Sequence, residues 1–477
     1  MDLPTFRVEA IELHERLVVL RVPFRFGAAT VTHAPQAFVR ARIQLQDGRE
    51  AAGAAAELMI PKWFDKSPQK SNAANIDDLR RSLAAAGDAY TSERHALTAF
   101  GHFGAHYGAL IRMGAQLGLN ALTANYGAAV VDRAIVDAVC RVLEVSFADA
   151  IRTNLPGLDD SLSPDLAAFD IGRFLQGLDA SSTIAARHTV GILDPLTAGD
   201  ALARVSDGLP ETLEDVIAAY GHRFFKLKLG GHPDDDVERL GRIAAVLDRL
   251  PEYAVTLDGN EQYADTSQIA ELWRKVEALP ALARLLAATL YLEQPLPRAR
   301  ALDTDVSLLA RTKPLLIDES DATLDAFPLA RAAGYTGVSS KSCKGIYKSL
   351  LNAARCVQWN AGGGPRHFLS GEDLTMQAGL AVQQDLALVS VLGLDHVERN
   401  GHHYVNGFAG QGAGEAEQRA FLAAQPGLYE RSYGGVRLRI RAGVIDLSSL
   451  EAPGYASGAE PDWSTLAPLG TALAAAT

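Results

Sequence analysis

RFFKLKLGGHPDDDVERLGRIAAVLDRLPEYAVTLDGN, residues 223–260, contains one complete strand–helix–strand unit of the chain. FFKLKLGG is predicted to be a strand because apolar side chains alternate with Lys226 and Lys228. The segments DDDVERLGRIAAVLDRL and YAVTLDGN then have helical and strand character. Residues two apart on a strand point to the same side, so the two lysines are expected to face one way. Two like charges side by side on a buried strand need an explanation.

The same alternation of strand and helix continues on both sides of this unit. Helical segments separate the strand-like segments, which are, in order, STIAARHTVGIL, RFFKLKLG, YAVTLDGN, TLYLEQP, PLLIDES, GVSSKS, HFLSGED and LDHVERN. Alternation at this spacing predicts parallel βα units, and eight units predict an α/β fold of the (β/α)8 barrel type. An open doubly wound sheet is the competing fold, but no GxGxxG motif opens a helix after the first strand.

The chain outside this region has a different character. The N-terminal part begins with strand-like segments that include a hairpin-type Asp47–Gly48 turn, and the segment AAVVDRAIVDAVCRVLEVSF predicts an amphipathic helix. The predicted divisions are an α+β unit over 1–150 with a helical insertion at about 65–120, a linker over 151–181, the barrel over 182–404, and a C-terminal segment over 405–477 that returns to the N-terminal unit.

Composition excludes several classes of protein. The chain has 477 residues with a net charge of −12, and no basic stripe with interleaved aromatics, so we expect no nucleic-acid partner. Its three cysteines form no CxxC pair, which argues against a disulfide framework or a zinc site. The charged N-terminus lacks the apolar core of a signal peptide, and no apolar run of about 20 residues is present. We therefore expect a cytoplasmic protein without a membrane partner.

Charged residues stand at the ends of five consecutive predicted strands. In barrels of this type the chemistry lies at the carboxyl ends of the strands. The residues found there are Lys226 and Lys228, Asp258 and Asn260, Glu293, Asp318 and Glu319, and Lys341, in chain order. Three acids without a cluster of His or Cys suit a hard cation that prefers oxygen ligands, such as Mg²⁺.

Each of these features alone has an ordinary explanation. A single acid after a strand most often caps the next helix, and a pair of lysines on a strand most often lies on a solvated edge. Their occurrence together, in order, each after an apolar β-rich run, favours a functional site.

The motifs KLK, DGN, LEQP, IDES and SSKSCKG, in this order, resemble the enolase superfamily. The resemblance is to the mandelate racemase/muconate-lactonizing enzyme-like members, closest to the muconate-lactonizing branch with two lysines. It covers about residues 182–400 strongly and the N-terminal unit more weakly. It implies a modified TIM barrel with an N-terminal α+β capping domain that the C-terminal segment completes.

The resemblance also implies a chemistry. Asp258, Glu293 and Asp318 would be ligands of Mg²⁺, with Mn²⁺ as an alternative, and Lys228 and Lys341 would be the acid/base groups. The reaction would remove the α-proton of a small-molecule carboxylate through a metal-stabilised enediolate. Racemases, epimerases, cycloisomerases and lyases all share this step. A homo-oligomer is expected.

The neighbouring residues have expected supporting roles. A lysine base must be unprotonated, and we expect the charge of Lys226 to lower the pKa of Lys228. Glu319 is expected to pair with one of the two acid/base lysines, and Asn260 to orient a metal ligand or a water.

Further candidates are more weakly indicated. Trp63 in PKWFDK would contact substrate or belong to the core, and Ser370 would cap a helix or contact substrate. Glu398 would shape specificity, whereas His402 and His403 are expected to be loop residues rather than ligands.

Alternatives to this function remain at the level of sequence. Dipeptide epimerases of the family carry an Asp-x-Asp after the eighth strand, and HVERNGHHYVNG has none. A sugar-acid dehydratase would use a His–Asp pair, but Lys341 stands on the sixth strand and His367 precedes its strand. A metal-binding barrel without catalysis would retain the carboxylates alone. A Schiff-base lyase would use one desolvated lysine without needing three carboxylates.

Overall fold

The computed structural model describes residues 3–27, 29–200 and 204–471. The chain begins with an antiparallel sheet of three strands, β1 (Phe6–Phe26), β2 (Ala29–Leu45) and β3 (Glu50–Leu58). β2 and β3 are joined through the predicted turn, where Gly48 has a φ of +88° that favours glycine. A short strand near the C-terminus, Ala467–Pro468, pairs with the outer edge of β1.

Five helices follow this sheet. They are α1 (Asn72–Ser92), α2 (Ala99–Gln116), α3 (Ala121–Val142), α4 (Phe147–Arg152) and α5 (Ile171–Gln176). Each begins directly after a side chain that accepts a hydrogen bond from a backbone amide of the first turn; these residues are Ser71, Thr98, Asn120, Ser146 and Asp170. The starts of these helices are therefore encoded locally.

Helix α3 is the centre of the N-terminal unit. The sequence predicts a single apolar stripe, but every residue from Leu122 to Cys140 is buried. The difference arises because α3 is packed between β2 and β3, helices α1 and α2, and the loop after a barrel strand. Its charged side chains consequently find partners inside the protein: Arg133 pairs with Glu57, and Asp132 accepts a hydrogen bond from Tyr90.

Eight parallel strands form the barrel. They are β4 (Thr183–Val190), β5 (Phe224–Lys228), β6 (Ala254–Asp258), β7 (Thr289–Glu293), β8 (Leu315–Ile317), β9 (Gly337–Ser340), β10 (Phe368–Gly371) and β11 (His396–Arg399). Each strand pairs with the next along the chain, and β11 pairs with β4 to close the ring. The predicted fold class is confirmed.

Helices surround the barrel and lead into the C-terminal segment. They are α6 (Leu213–Tyr220), α7 (Pro233–Leu247), α8 (Thr266–Ala278), α9 (Ala283–Ala288), α10 (Arg298–Ala301), α11 (Ala326–Ala332), α12 (Ile346–Ala361), α13 (Leu380–Val391), α14 (Gly401–Tyr404) and α15 (Glu415–Ala424). The last strands are β12 (Tyr429–Ser432), β13 (Gly435–Leu438), β14 (Val444–Asp446) and β15 (Ala467–Pro468). β14 adds to barrel strand β4 as an antiparallel neighbour, whereas β15 returns to β1.

Strand β5 has the two faces that the opening stretch predicts. Phe225 and Leu227 are completely buried in the apolar layer between the barrel and its helices. Lys226 and Lys228 point into the barrel, where they meet carboxylates. None of the helices in the described parts of the chain is both long enough and apolar enough to cross a bilayer.

Gly53 on β3 allows the sheet to approach α3 closely. A β-carbon at this position would overlap the backbone of Ala134 and Ala138. We expect Gly53→Ala to lower the free energy of unfolding by about 3 kcal/mol, because rigid backbone must move to make room. Gly241→Ala in α7 is the matched control, since its added methyl meets no atom within 4 Å.

The two variants are compared by thermal unfolding followed by circular dichroism. Gly241→Ala is expected to unfold at the wild-type temperature or slightly above it, because alanine favours a helix by about 0.5–1 kcal/mol over glycine. Equal midpoints for Gly53→Ala and the wild type would contradict the close packing of β3 against α3.

Candidate active site

The carboxyl ends of the barrel strands carry the charged residues that the sequence singled out. Lys228, Asp258 and Glu293 are the last residues of β5, β6 and β7, and Asp318 and Lys341 directly follow β8 and β9. Parallel strands end at the same rim of a barrel, so these side chains face a common space. We call the five residues and Lys226 the charged rim; all six are buried.

Lys226 lies at the centre of the charged rim. Its Nζ is 2.9 Å from Asp258 Oδ2, 2.8 Å from Glu293 Oε2, 2.7 Å from Glu372 Oε2 and 3.0 Å from Glu398 Oε2. Burial alone would lower the pKa of Lys226, but the four carboxylates outweigh burial and raise it well above its usual value. Lys226 is therefore a fixed positive charge in this arrangement.

The other two lysines of the charged rim each have one carboxylate partner. Lys228 Nζ lies 2.6 Å from Asp258 Oδ2, and Lys341 Nζ lies 2.6 Å from Asp318 Oδ2. Burial lowers the pKa of Lys341, but the Asp318 carboxylate outweighs it and the pKa is raised. At Lys341 the dominant charge is a carboxylate and not a second ammonium, whereas the lowered pKa expected from sequence concerned Lys228 and stays a prediction.

The surroundings of Glu293 hold more negative charge than the ammonium group of Lys226 balances. Burial, together with the Asp258 carboxylate, raises the pKa of Glu293 well above its usual value, although Lys226 opposes the shift. Its Oε2 also accepts no well-directed hydrogen bond. A carboxylate in this state has the capacity to accept a further cation.

The three predicted metal ligands fit Mg²⁺ by the chemistry of their donors. Asp258, Glu293 and Asp318 supply carboxylate oxygens at one rim, which is the donor type that Mg²⁺ prefers. Within the described residues their oxygens are not gathered around one point, since lysine ammonium groups lie against them. In this structure the lysine ammonium groups therefore supply the positive charge beside these three carboxylates.

Glu319 has a different partner from the one expected. It does not pair with an acid/base lysine but with Lys66 of the N-terminal unit, whose Nζ lies 3.0 Å from Glu319 Oε1. Lys66 also donates to the backbone carbonyl of Asn260 over 2.7 Å, and the Asn260 side chain donates to Glu319 over 3.2 Å. The Asn260 backbone amide in turn donates to Asp258 Oδ1, which links the N-terminal unit to the charged rim.

A small cavity lies between the charged rim and the N-terminal unit. Its lining includes Lys228, Lys341 and Glu398 on the barrel side, and Phe24, Phe26, Ile60 and Trp63 on the other side. The ring of Trp63 lies 4.3 Å from Lys341 Nζ, a cation–π contact. The volume of about 20 Å³ holds about one water molecule, so a larger substrate requires movement of this cover.

Ser370 neither caps a helix nor lines the cavity, which are the two positions expected from sequence. Its hydroxyl donates to Glu372 Oε1 over 2.5 Å inside the barrel and does not line the cavity. It caps no helix either, since α13 begins ten residues later at Leu380. Arg187 on β4 pairs with the same Glu372 and donates to the carbonyl of Gly371, so this group supports the charged rim from within.

Sequence reasoning missed Glu372, Arg187 and Lys66. Glu372 was visible as an acid just after the seventh strand, in SGED, but an acid in that place is ordinarily a cap. Nothing in the local sequence indicates a role for Lys66, because its partner Glu319 is 253 residues away.

The sequence predicts that the histidines after β11 are loop residues, but the structure places them on a helix. His402 and His403 lie on the short helix α14, and both are buried. His367 precedes β10, at the end of the strand opposite to the charged rim. A His–Asp pair of the dehydratase type is therefore not formed by His367.

Lys226→Met tests whether this ammonium neutralises the rim. We expect the variant to lose about 3–5 kcal/mol of stability, because several buried carboxylates lose their common partner. The loss should shrink as the pH falls towards the raised pKa of Glu293, since protonation removes the unpaired charge. Thermal unfolding measured across a pH series gives both quantities.

Lys275→Met is the control for this measurement. Its ammonium pairs with Asp234 and Glu271 on the protein surface, where ion pairs contribute about 0–1 kcal/mol. A Lys226→Met protein that is as stable as Lys275→Met at neutral pH would contradict the central role of Lys226.

Comparison with known proteins agrees with the barrel fold. Residues 208–428 match the family model described as "Enolase C-terminal domain-like". A comparison with curated proteins gives no match.

Solved structures with the same fold cover nearly the whole chain. An enolase from Bradyrhizobium complexed with magnesium and mandelic acid has a TM-score of 0.59 at 17% identity, covering 96% of this chain and 97% of its own. A 2-chloromuconate cycloisomerase from Rhodococcus opacus has a TM-score of 0.57 at 18% identity, covering 96% and 98%. A muconate lactonizing enzyme from Pseudomonas fluorescens complexed with muconolactone has a TM-score of 0.55 at 17% identity, covering 98% of both chains. The closed barrel and the match of residues 208–428 show that this part of the chain is an enolase C-terminal domain-like barrel.

Proposed function

We propose that this protein is an Mg²⁺-dependent enzyme that removes the α-proton of a carboxylate substrate, with Lys228 and Lys341 as the acid/base groups. The observation that carries the proposal is that both lysines line one cavity beside three buried carboxylates. Their side chains are the only lysines among the residues that line this cavity within the described chain.

The two lysines approach the cavity from opposite sides of the barrel. Lys228 ends β5 and Lys341 follows β9, and these strands are four apart in a closed ring of eight. A substrate held between them would present opposite faces of its α-carbon to the two amines. This placement supports racemisation or epimerisation with two bases, and equally a cycloisomerisation or elimination in which one lysine takes the proton and the other stabilises charge.

Removal of an α-proton from a carboxylate leaves a second negative charge on the substrate. Bound Mg²⁺ would supply Lewis-acid stabilisation of that charge, and Asp258, Glu293 and Asp318 are the residues that would hold it. Lys226 contributes a fixed ammonium next to the same carboxylates. Buried positive charge already in place stabilises developing negative charge more strongly than water does.

The cover of the cavity supports chemistry away from water. Phe24, Phe26 and Trp63 close the space above the lysines with apolar surface. Trp63 also contacts the ammonium of Lys341 through its ring, which limits where that side chain can lie. Trp63 and Glu398 are accordingly proposed as substrate contacts.

Two of the related solved structures hold organic acids or their products. The Bradyrhizobium protein binds mandelic acid, and the Pseudomonas fluorescens enzyme binds muconolactone. These ligands support a carboxylate, or a lactone formed from one, as the class of substrate or product for this chain. No observation favours the dehydratase, the inactive barrel or the Schiff-base lyase over this proposal.

Substitution of the two lysines tests their roles. Incubation of the enzyme with a panel of carboxylic acids in D₂O and Mg²⁺, followed by mass spectrometry, reports α-proton exchange. Once an exchanging acid is found, Lys228→Ala and Lys341→Ala should each slow exchange by about 10²–10⁴-fold, because a general acid or base contributes a factor of that order.

Lys313→Ala is the matched control for the lysine variants. Its Nζ donates to the carbonyl of Thr289 at the amino end of β7, far from the cavity. Exchange should continue at the wild-type rate in this variant, with circular dichroism showing that all three proteins are folded. Full exchange in both Lys228→Ala and Lys341→Ala would overturn the proposal.

Removal of the metal tests the carboxylates. Treatment with a chelator should abolish exchange, and Mg²⁺ should restore it in the wild type. Glu293→Gln and Asp318→Asn should raise the Mg²⁺ concentration needed for half-maximal activity by at least about tenfold, because each removes one charged ligand. An unchanged Mg²⁺ dependence in both variants would contradict their role as ligands.

A further inference from the structure

Three buried histidines meet outside the barrel, away from the charged rim. His188 lies on β4, His222 lies just before β5, and His402 lies on α14. One nitrogen atom of each lies within 4.8 Å of those of the other two. The ring centroids are 5.3, 5.7 and 5.5 Å apart for the three pairs, so the rings form a nearly equilateral triangle.

Four of the six ring nitrogens of this triangle are buried without a hydrogen-bond partner in the described residues. His188 Nδ1, His222 Nε2 and both ring nitrogens of His402 are buried without a partner in the described structure. Buried polar atoms without partners are rare, because each loses its interaction with water and gains nothing in return. Because one nitrogen of each side chain lies within 4.8 Å of those of the other two, a single partner could serve all three.

His222 is oriented in the way that ligating histidines usually are. Its Nδ1 lies 3.0 Å from the backbone carbonyl of Ala186, so Nδ1 carries the proton and donates. The lone pair of Nε2 is then free, since this atom is buried without a hydrogen-bond partner. A hydrogen bond from the second ring nitrogen to a carbonyl is the arrangement that fixes the tautomer of metal-bound histidine.

The surroundings keep the three rings neutral. Burial lowers the pKa of His222 to about 4, and it lowers the pKa of His188 and of His402 well below the usual value. Neutral imidazole is the form that binds metals. Arg437, which donates to the carbonyl of His402, also disfavours an imidazolium there. The positive charge of Arg437 also repels a bound dication. The affinity of the three histidines for a metal ion should therefore be lower than that of a site completed by a carboxylate.

We propose that His188, His222 and His402 form a structural binding site for a borderline divalent transition-metal ion, with Zn²⁺ as the reference ion. Three imidazole nitrogens suit Zn²⁺, Co²⁺, Ni²⁺ and Cu²⁺, and do not suit Mg²⁺. Zn–N bonds of about 2.0–2.1 Å place tetrahedral ligand atoms about 3.4 Å apart. Nitrogens that lie within 4.8 Å of one another would therefore approach by at most about 1.4 Å to bind the ion. Water would complete the coordination.

The ion would join three segments that are far apart in sequence. His188 and His222 are held on the barrel wall, whereas His402 is on α14, which directly follows Glu398 and Asn400 of the cavity lining. Binding would fix α14 against β4. The site is independent of the proposed catalytic chemistry, and it involves no change of oxidation state.

Metal analysis of the full-length protein tests this site. After expression with added Zn²⁺ and dialysis against a weak chelator, inductively coupled plasma mass spectrometry should find one Zn²⁺ for each chain. Protein loaded with Co²⁺ should show the visible absorption of a tetrahedral ion with nitrogen ligands. His222→Gln and His402→Gln should each reduce bound Zn²⁺ at least tenfold and abolish the Co²⁺ absorption.

Two controls separate this site from other sources of binding. His367→Gln, a histidine outside the triangle, should retain Zn²⁺. A Glu293→Gln, Asp318→Asn double variant should also retain it, because those carboxylates belong to the charged rim. Wild-type protein without Zn²⁺, or Zn²⁺ that is lost from the carboxylate variant but kept in both histidine variants, would overturn the proposal.

Discussion

The fold and the candidate site depend on one buried interaction, the ammonium group of Lys226 among four carboxylates. Asp258, Glu293, Glu372 and Glu398 come from four different barrel strands or the residues directly after them. Bringing their charges out of water is costly, and the attraction to a shared cation offsets that cost. The barrel can therefore have a charged interior at its carboxyl rim while its outer layer remains apolar.

This balance of charge also connects the barrel to the N-terminal unit. Lys66 reaches Glu319 and the carbonyl of Asn260, and Asn125 of α3 donates to the carbonyl of Lys344 in the loop that follows Lys341. Phe24 and Trp63 close the cavity from the same side. The N-terminal unit is thus part of the site, since it supplies both charge and cover to the rim.

Local patterns predicted much of this arrangement. Strand β5 was predicted from alternation, and its two lysines were placed on one face, because side-chain direction follows directly from the period of a strand. Asp258, Glu293 and Asp318 were predicted to share a rim because parallel strands all end on the same side. These features need no knowledge of distant contacts.

Other features depended on contacts that no local pattern contains. Helix α3 has an amphipathic sequence but is buried all round, since the unit packs on every side of it. The raised pKa of Lys341 arises from a carboxylate 23 residues away, and the pairing of Lys66 with Glu319 spans 253 residues.

The triangle of His188, His222 and His402 shows most clearly the difference between what local sequence patterns predict and what tertiary contacts decide. Sequence order and composition were sufficient for the barrel, its eight strands and the residue types at its rim, because these follow from periodicity and chain direction. The partner of each charge, the burial of each histidine and the closure of the cavity were decided only by the tertiary structure, since they require side chains from distant segments to meet in a space without water.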